Sequence, residues 1–141
     1  MGFDKKYLVS ALVYAAAGMG LGIYMAASNN HGQFVTHAHV LLIGFVVSVL
    51  YAVIHKLWLI ERASILAALQ FYAHQCGVVV MAAGLYSLYS ATVPPALAER
   101  ALAAASVSVL AGALLMLLLV IKSHYVGAPT PAIAATWPKG C

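Results

Sequence analysis

The chain is 141 residues long, 65% hydrophobic and only 7% charged, with a formal net charge of +4. A soluble domain carries roughly a quarter charged residues, so the composition excludes an ordinary water-soluble fold and points to a membrane protein. The basic residues are scattered with no aromatic-interleaved cluster, which excludes a nucleic-acid surface, and the two cysteines, with no Cys-x-x-Cys, exclude a disulfide scaffold, a zinc ribbon and a covalently attached c-type heme.

Lys5 and Lys6 precede a first apolar run, Tyr7 to Ala27. Its length suits a hydrocarbon layer about 30 Å thick, which needs roughly 20 helical residues. Met-Ala-Ala-Ser at its end resembles a signal-peptide cleavage site. The run is longer than a signal core, however, and Gly18, Gly20 and Gly22 read as close-packing positions of a membrane helix. Ser28 to Gly32 is a polar turn. The second span runs from about Phe34 to Leu57, with Thr36 as a candidate N-terminal cap. Trp58 fits an interfacial position between it and the next span. The third span covers about residues 63–89 and carries Gln70, His74, Gln75 and Cys76, the last read as a small core residue. Ala91 to Arg100, with Pro94-Pro95, reads as a loop. The fourth span covers about 101–121 and holds no ionisable residue. Residues 1–125 thus form a four-helix transmembrane domain and 126–141 a proline-bearing tail ending in Cys141.

Four spans put both termini on one side. Lys5, Lys6, Lys56, Arg62, Lys122 and Lys139 then share that side and Arg100 lies opposite, which predicts cytoplasmic termini. The fold expected is all-α, with four transmembrane helices in an up-down antiparallel arrangement. His37 and His39 fall toward the outer side and His74 nearer mid-membrane, while His55 and His124 lie at the inner boundary.

The chemistry concentrates in residues 33–56, where His37 and His39 head a uniformly apolar helix that His55 closes. An ionisable side chain in hydrocarbon costs several kcal/mol unless partnered, so these histidines are functional candidates. At about 100° per residue, His37 and His39 point about 200° apart, so they reach different neighbours and cannot readily chelate one ion. His31 reads as a solvated loop residue, and His55 and His124 as interfacial. His74 reads either as an interior histidine bonded to Gln70 one turn earlier or as a further ligand. Neutral imidazole is a common heme-iron ligand, and a b-type heme needs only histidines in an apolar slot between helices. Gly44, seven residues after His37, and Gly77, one turn after His74, are candidates for the close approach of a flat macrocycle. Zinc is disfavoured, because the spans offer no carboxylate or second cysteine.

Val-Thr-His-Ala-His-Val-Leu-Leu-Ile-Gly, followed by His55, resembles the tenth transmembrane helix of heme-copper oxidase subunit I. That helix carries a His-x-His pair, a glycine in an apolar stretch and a later histidine. In that family the pair ligates a high-spin and a low-spin heme on opposite faces. The resemblance therefore implies that His37 and His39 are axial ligands of heme b, with His74 a possible further metal ligand. The oxidase subunit is built of three four-helix arcs around a pseudo-threefold axis, and this chain is similar to one arc. Neither a complete three-histidine copper site nor a cross-linked tyrosine is recognisable, which argues against full oxygen reductase activity.

The expected molecule is thus a b-type hemoprotein, placed in a bacterial inner (cytoplasmic) membrane and assembled as a homotrimer. Its expected work is electron transfer, with quinone or another redox partner, or binding of a diatomic gas. Two other classes stay open. One is heme or metal handling and transport, in which binding is weak and exchangeable. The other is an accessory subunit without cofactor, in which all six histidines are replaceable.

Overall fold

In the computed structural model, residues 1–59 and 64–123 are described. Among them every regular element is a helix: α1 (Phe3–Ser28), α2 (Phe34–Leu57), α3 (Ile65–Tyr89) and α4 (Pro95–Lys122). All four are long and apolar enough to cross a membrane. Arg62, His124, Lys139, Cys141 and the tail 126–141 lie outside the described residues.

The helix ends follow local chemistry. The carbonyls at the end of α1 are closed by Asn29, whose φ of 53° is the left-handed conformation that asparagine tolerates. The Ser64 hydroxyl accepts the Ala67 N–H at 3.1 Å and caps α3. Helix α4 starts at Pro95, within the stretch read as a loop. Proline is pre-set for the first helical position, where its missing N–H leaves no intrahelical bond unmade, so Pro94-Pro95 opens the helix. Thr36 is not a cap. Helix α2 begins one turn earlier, and the Thr36 hydroxyl donates to Gln33 Oε1 at 2.7 Å.

Helix α2 is not uniform. Phe34–His39 and Val47–Leu57 are α-helical, but Val40–Val46 winds as a π-helix. A π turn holds one residue more than an α turn and recurs at functional sites. The wide turn starts immediately after His39.

Small residues seat the helices on one another. A methyl group added at Gly44 would lie 2.8 Å from the Tyr14 ring of α1, and Gly18 of α1 receives Leu41. Tyr7 of α1 packs edge-on against Tyr51 of α2, with ring centroids 5.5 Å apart. The broadest interface joins α3 to α4. There Gly77 meets Val109 and the Ala105 carbonyl, Gly84 meets Leu102, and Gly112 meets the backbone of His74. Gly20 has nothing within 4 Å and is not a packing position. One apolar cluster gathers Tyr7, Tyr51, Ala52 and Met116, and another gathers Met81, Leu85 and Ala105. Leucines, valines and isoleucines crowd the exposed outer faces, as expected for surfaces that meet lipid rather than water. Cys76, expected in the core, lies on this outer face.

Candidate functional site

His37 and His39 both sit on the short α-helical segment ahead of the π turn, half-buried. The His37 ring lies against α1. Its Nδ1 is 2.8 Å from the Gly18 carbonyl, and a methyl group added at Gly22 would be 2.9 Å from its Cε1. The His39 Nδ1 is 2.8 Å from the Val35 carbonyl of its own helix. A carbonyl can only accept, so Nδ1 carries the proton in both rings. That leaves a lone pair on each Nε2, and neither Nε2 has a hydrogen-bond partner among the described residues. A hydrogen bond from one ring nitrogen to a backbone carbonyl fixes the tautomer, holds the ring and makes the other nitrogen a better metal donor. The donor set therefore fits axial ligation of a heme iron.

The two imidazoles diverge. His37 turns to α1, whereas His39 heads a stripe of exposed side chains, Leu42, Val46, Leu50, Val53 and Leu57. An imidazole at the head of a lipid-facing stripe is costly unless something covers it.

The glycines behave differently from the expectation. Gly44 does share a face with His37, but that face is packed on α1 and the space is filled by Tyr14. Gly77 is closed by α4. Within one chain neither leaves room for a flat macrocycle, and both serve helix packing. The glycines that matter for His37 are Gly18, through its carbonyl, and Gly22, through its missing side chain. Sequence reading grouped them as packing positions without linking them to a histidine.

His74 is not brought to the pair. It is fully buried in a second polar cluster between α1, α2 and α3, with Tyr7, Ser48 and Gln70 also fully buried and His55 nearly so. Gln70 does not bond His74 as expected. It accepts the Tyr7 hydroxyl at 2.7 Å and donates to the Gly112 carbonyl at 3.3 Å, stapling α1, α3 and α4 together. His74 Nε2 instead lies 3.3 Å from the Ser48 hydroxyl. Tyr51 meets the His74 ring edge-on at 4.9 Å, and Tyr7 stacks on His55 at 5.6 Å. Among the described residues, the His74 Nδ1 and the His55 Nε2 have no hydrogen-bond partner. Each buried atom of this kind costs about 1–3 kcal/mol. The signal for this cluster was present as lone polar residues, Tyr7, Ser48 and Gln70, inside apolar spans. No three His, Cys, Asp or Glu side chains converge among the described residues.

Gly22→Ala tests the seat of His37. The added methyl pushes the ring off the Gly18 carbonyl while leaving the helix intact, so the affinity of any metal centre that His37 ligates is expected to fall by about 10–100-fold. Helical content by circular dichroism should stay unchanged in the same sample.

Comparison of the chain with protein-family models, with curated proteins and with solved structures finds no match.

Proposed function

We propose that the chain is a membrane-embedded b-type heme protein whose iron ligands are His37 and His39. The observation that carries this reading is the matched preparation of the two imidazoles, each with Nδ1–H held by a backbone carbonyl and Nε2 open. When bound, heme supplies a one-electron iron couple. The chain's residues hold the rings in orientation, fix their tautomer and exclude water with apolar helices.

Because the rings face different ways, the ligands of one iron come from two chains. His39 on the outer stripe of one protomer and His37 of the next share a heme, and repetition closes as a cyclic homotrimer. A neighbour in that position also covers the half-buried His39. His37 and His39 would together hold the iron, and a heme held by two imidazoles would supply electron transfer, with quinone as a membrane-soluble partner, rather than gas binding.

The helices run up-down and antiparallel. Contacts between α1 and α2 pair residues 22 with 37, 18 with 41, 14 with 44 and 7 with 51, one number falling as the other rises. Contacts between α3 and α4 do the same, pairing 84 with 102, 77 with 109 and 74 with 112. Lys5, Lys6, Lys56 and Lys122 at one end of the helices, against Arg100 at the other, support cytoplasmic termini, and the reading places the chain in a bacterial inner membrane.

An optical spectrum of the detergent-purified protein, oxidised, dithionite-reduced and then exposed to carbon monoxide, tests this. The expected result is a Soret band with sharp reduced α and β bands that carbon monoxide does not move. A carbon monoxide shift would show an open axial position and favour gas chemistry. The absence of a Soret band after expression with ample heme would overturn the reading.

A further inference from the structure

One end of the bundle collects ammonium groups from three helices. The Phe3 ring of α1 packs on His55 of α2, with ring centroids 5.7 Å apart. Lys56 therefore lies beside the first turn of α1, which carries Lys5 and Lys6. Phe3 also meets Phe71 of α3 at 5.7 Å. From α4, Met116 joins Tyr7 and Tyr51 in one apolar cluster, and Lys122 lies about 9 Å further along that helix toward the same end.

Lys5, Lys56 and Lys122 are exposed, whereas Lys6 is half-buried. The Lys6 Nζ stands 4.6 Å from the centre of the Phe3 ring and 5.9 Å from that of Phe71, a cation–π seat that fixes one ammonium where α1 meets α3. Among the described residues of this end the acid is Asp4. Its carboxylate lies against Gly2, where it complements the free N–H groups at the start of α1. One carboxylate against four ammonium groups leaves an excess of positive charge. Like charges gathered at the edge of hydrocarbon repel more strongly than in bulk water, because the apolar surroundings lower the local dielectric. In a bilayer the phosphates of anionic lipids stand at that depth and supply the counter-charge. Trp58, half-exposed just beyond Lys56, marks the headgroup level. Leu8, Leu57 and Ile121 are exposed beside Lys5, Lys56 and Lys122. Such apolar flanks suit acyl chains and give a free phosphate nothing.

We propose that Lys5, Lys6, Lys56 and Lys122 form a binding site for an anionic phospholipid. The lysines hold its phosphate diester, and Leu8, Leu57 and Ile121 hold its acyl chains. The bound lipid ties α1, α2 and α4 together at this end and relieves the repulsion among the lysines. The site needs no heme.

Native mass spectrometry of the full chain, released from detergent micelles doped with phosphatidylglycerol or with phosphatidylcholine, measures the lipid retained. The parent is expected to bind phosphatidylglycerol at least about tenfold more tightly than phosphatidylcholine. A lysine near the surface contributes about fivefold in affinity for anionic lipid, so Lys56→Gln and Lys122→Gln should each narrow the preference by about that factor. The triple variant Lys5→Gln, Lys56→Gln, Lys122→Gln should abolish it, with helical content unchanged because all three side chains are exposed. Arg100→Gln, at the opposite end, should keep the full preference. Equal binding of the two lipids by the parent would overturn the site. So would a triple variant that keeps the preference, or an Arg100→Gln variant that loses it. Displacement of phosphatidylglycerol by millimolar inorganic phosphate would show a free-anion site and overturn the lipid. Should the triple variant fail to fold, the two single variants decide, and an unchanged preference in both overturns the site.

Discussion

His39→Ala is expected to lose heme and trimer together. If one iron is held by His39 of one protomer and His37 of the next, removing either ligand empties every site in the ring, because closed symmetry repeats the loss at each interface. Loss of a residue that merely supports a metal ligand costs about 10–100-fold in affinity, and loss of the ligand itself should reach or exceed that range. His37→Ala should do the same, with one difference. It also removes the contact with Gly18 and Gly22, so α1 and α2 should pack less firmly in that variant alone. The check is heme stoichiometry by pyridine hemochrome assay, paired with size-exclusion and light scattering. A heme-loaded monomer, in either variant or in the parent, would remove the trimer. Retention of full heme by His39→Ala would remove His39 as a ligand.

The largest effect on stability is expected at Gly77. A methyl group there would come within 2.8 Å of Val109 Cγ2, 3.0 Å of its backbone nitrogen and 3.2 Å of the Ala105 carbonyl. A side chain can rotate away, but two of these three atoms are helix backbone. Gly77→Ala must therefore push α4 off α3 along their broadest interface, and overpacking of this kind costs about 1–3 kcal/mol. Gly20→Ala supplies the contrast. Nothing lies within 4 Å of that position, and alanine favours the helix over glycine, so the substitution should be neutral or stabilise by up to about 1 kcal/mol. Reversible unfolding in SDS–detergent mixtures measures both. Equal effects of the two substitutions would mean that α3 and α4 are not packed as closely as the glycine contacts require.

The four spans were legible because a membrane helix announces itself by length and apolarity alone. Boundaries were harder. Pro94-Pro95 looks like a loop on the average chemistry of proline, whereas Pro95 occupies the one helical position that suits it. His37 and His39 stood out as ionisable residues in an apolar run, and their divergence followed from helical pitch. Their carbonyl partners did not, because the Gly18 carbonyl is a backbone group on another helix and carries no mark in the sequence. Gly44 and Gly77 were legible as sites of close approach, but not what approaches: Tyr14 and α4 fill them. His74 was paired with Gln70 on spacing within one helix, yet tertiary contacts with Tyr7 and Ser48 claimed both side chains. The π turn at Val40–Val46 has no residue signature at all.

That wide turn sets the phase between two halves of one rod. On its near side are His37 and His39, and on its far side Ser48, Tyr51 and His55. Removing a single residue between Val40 and Val46 would let the segment wind as ordinary α-helix with the two halves facing nearly as before, whereas removing one residue from the α-helical parts of α2 would turn one half against the other by about 100°. The alignment of the two histidine groups is therefore governed by a count of residues, not by any one side chain.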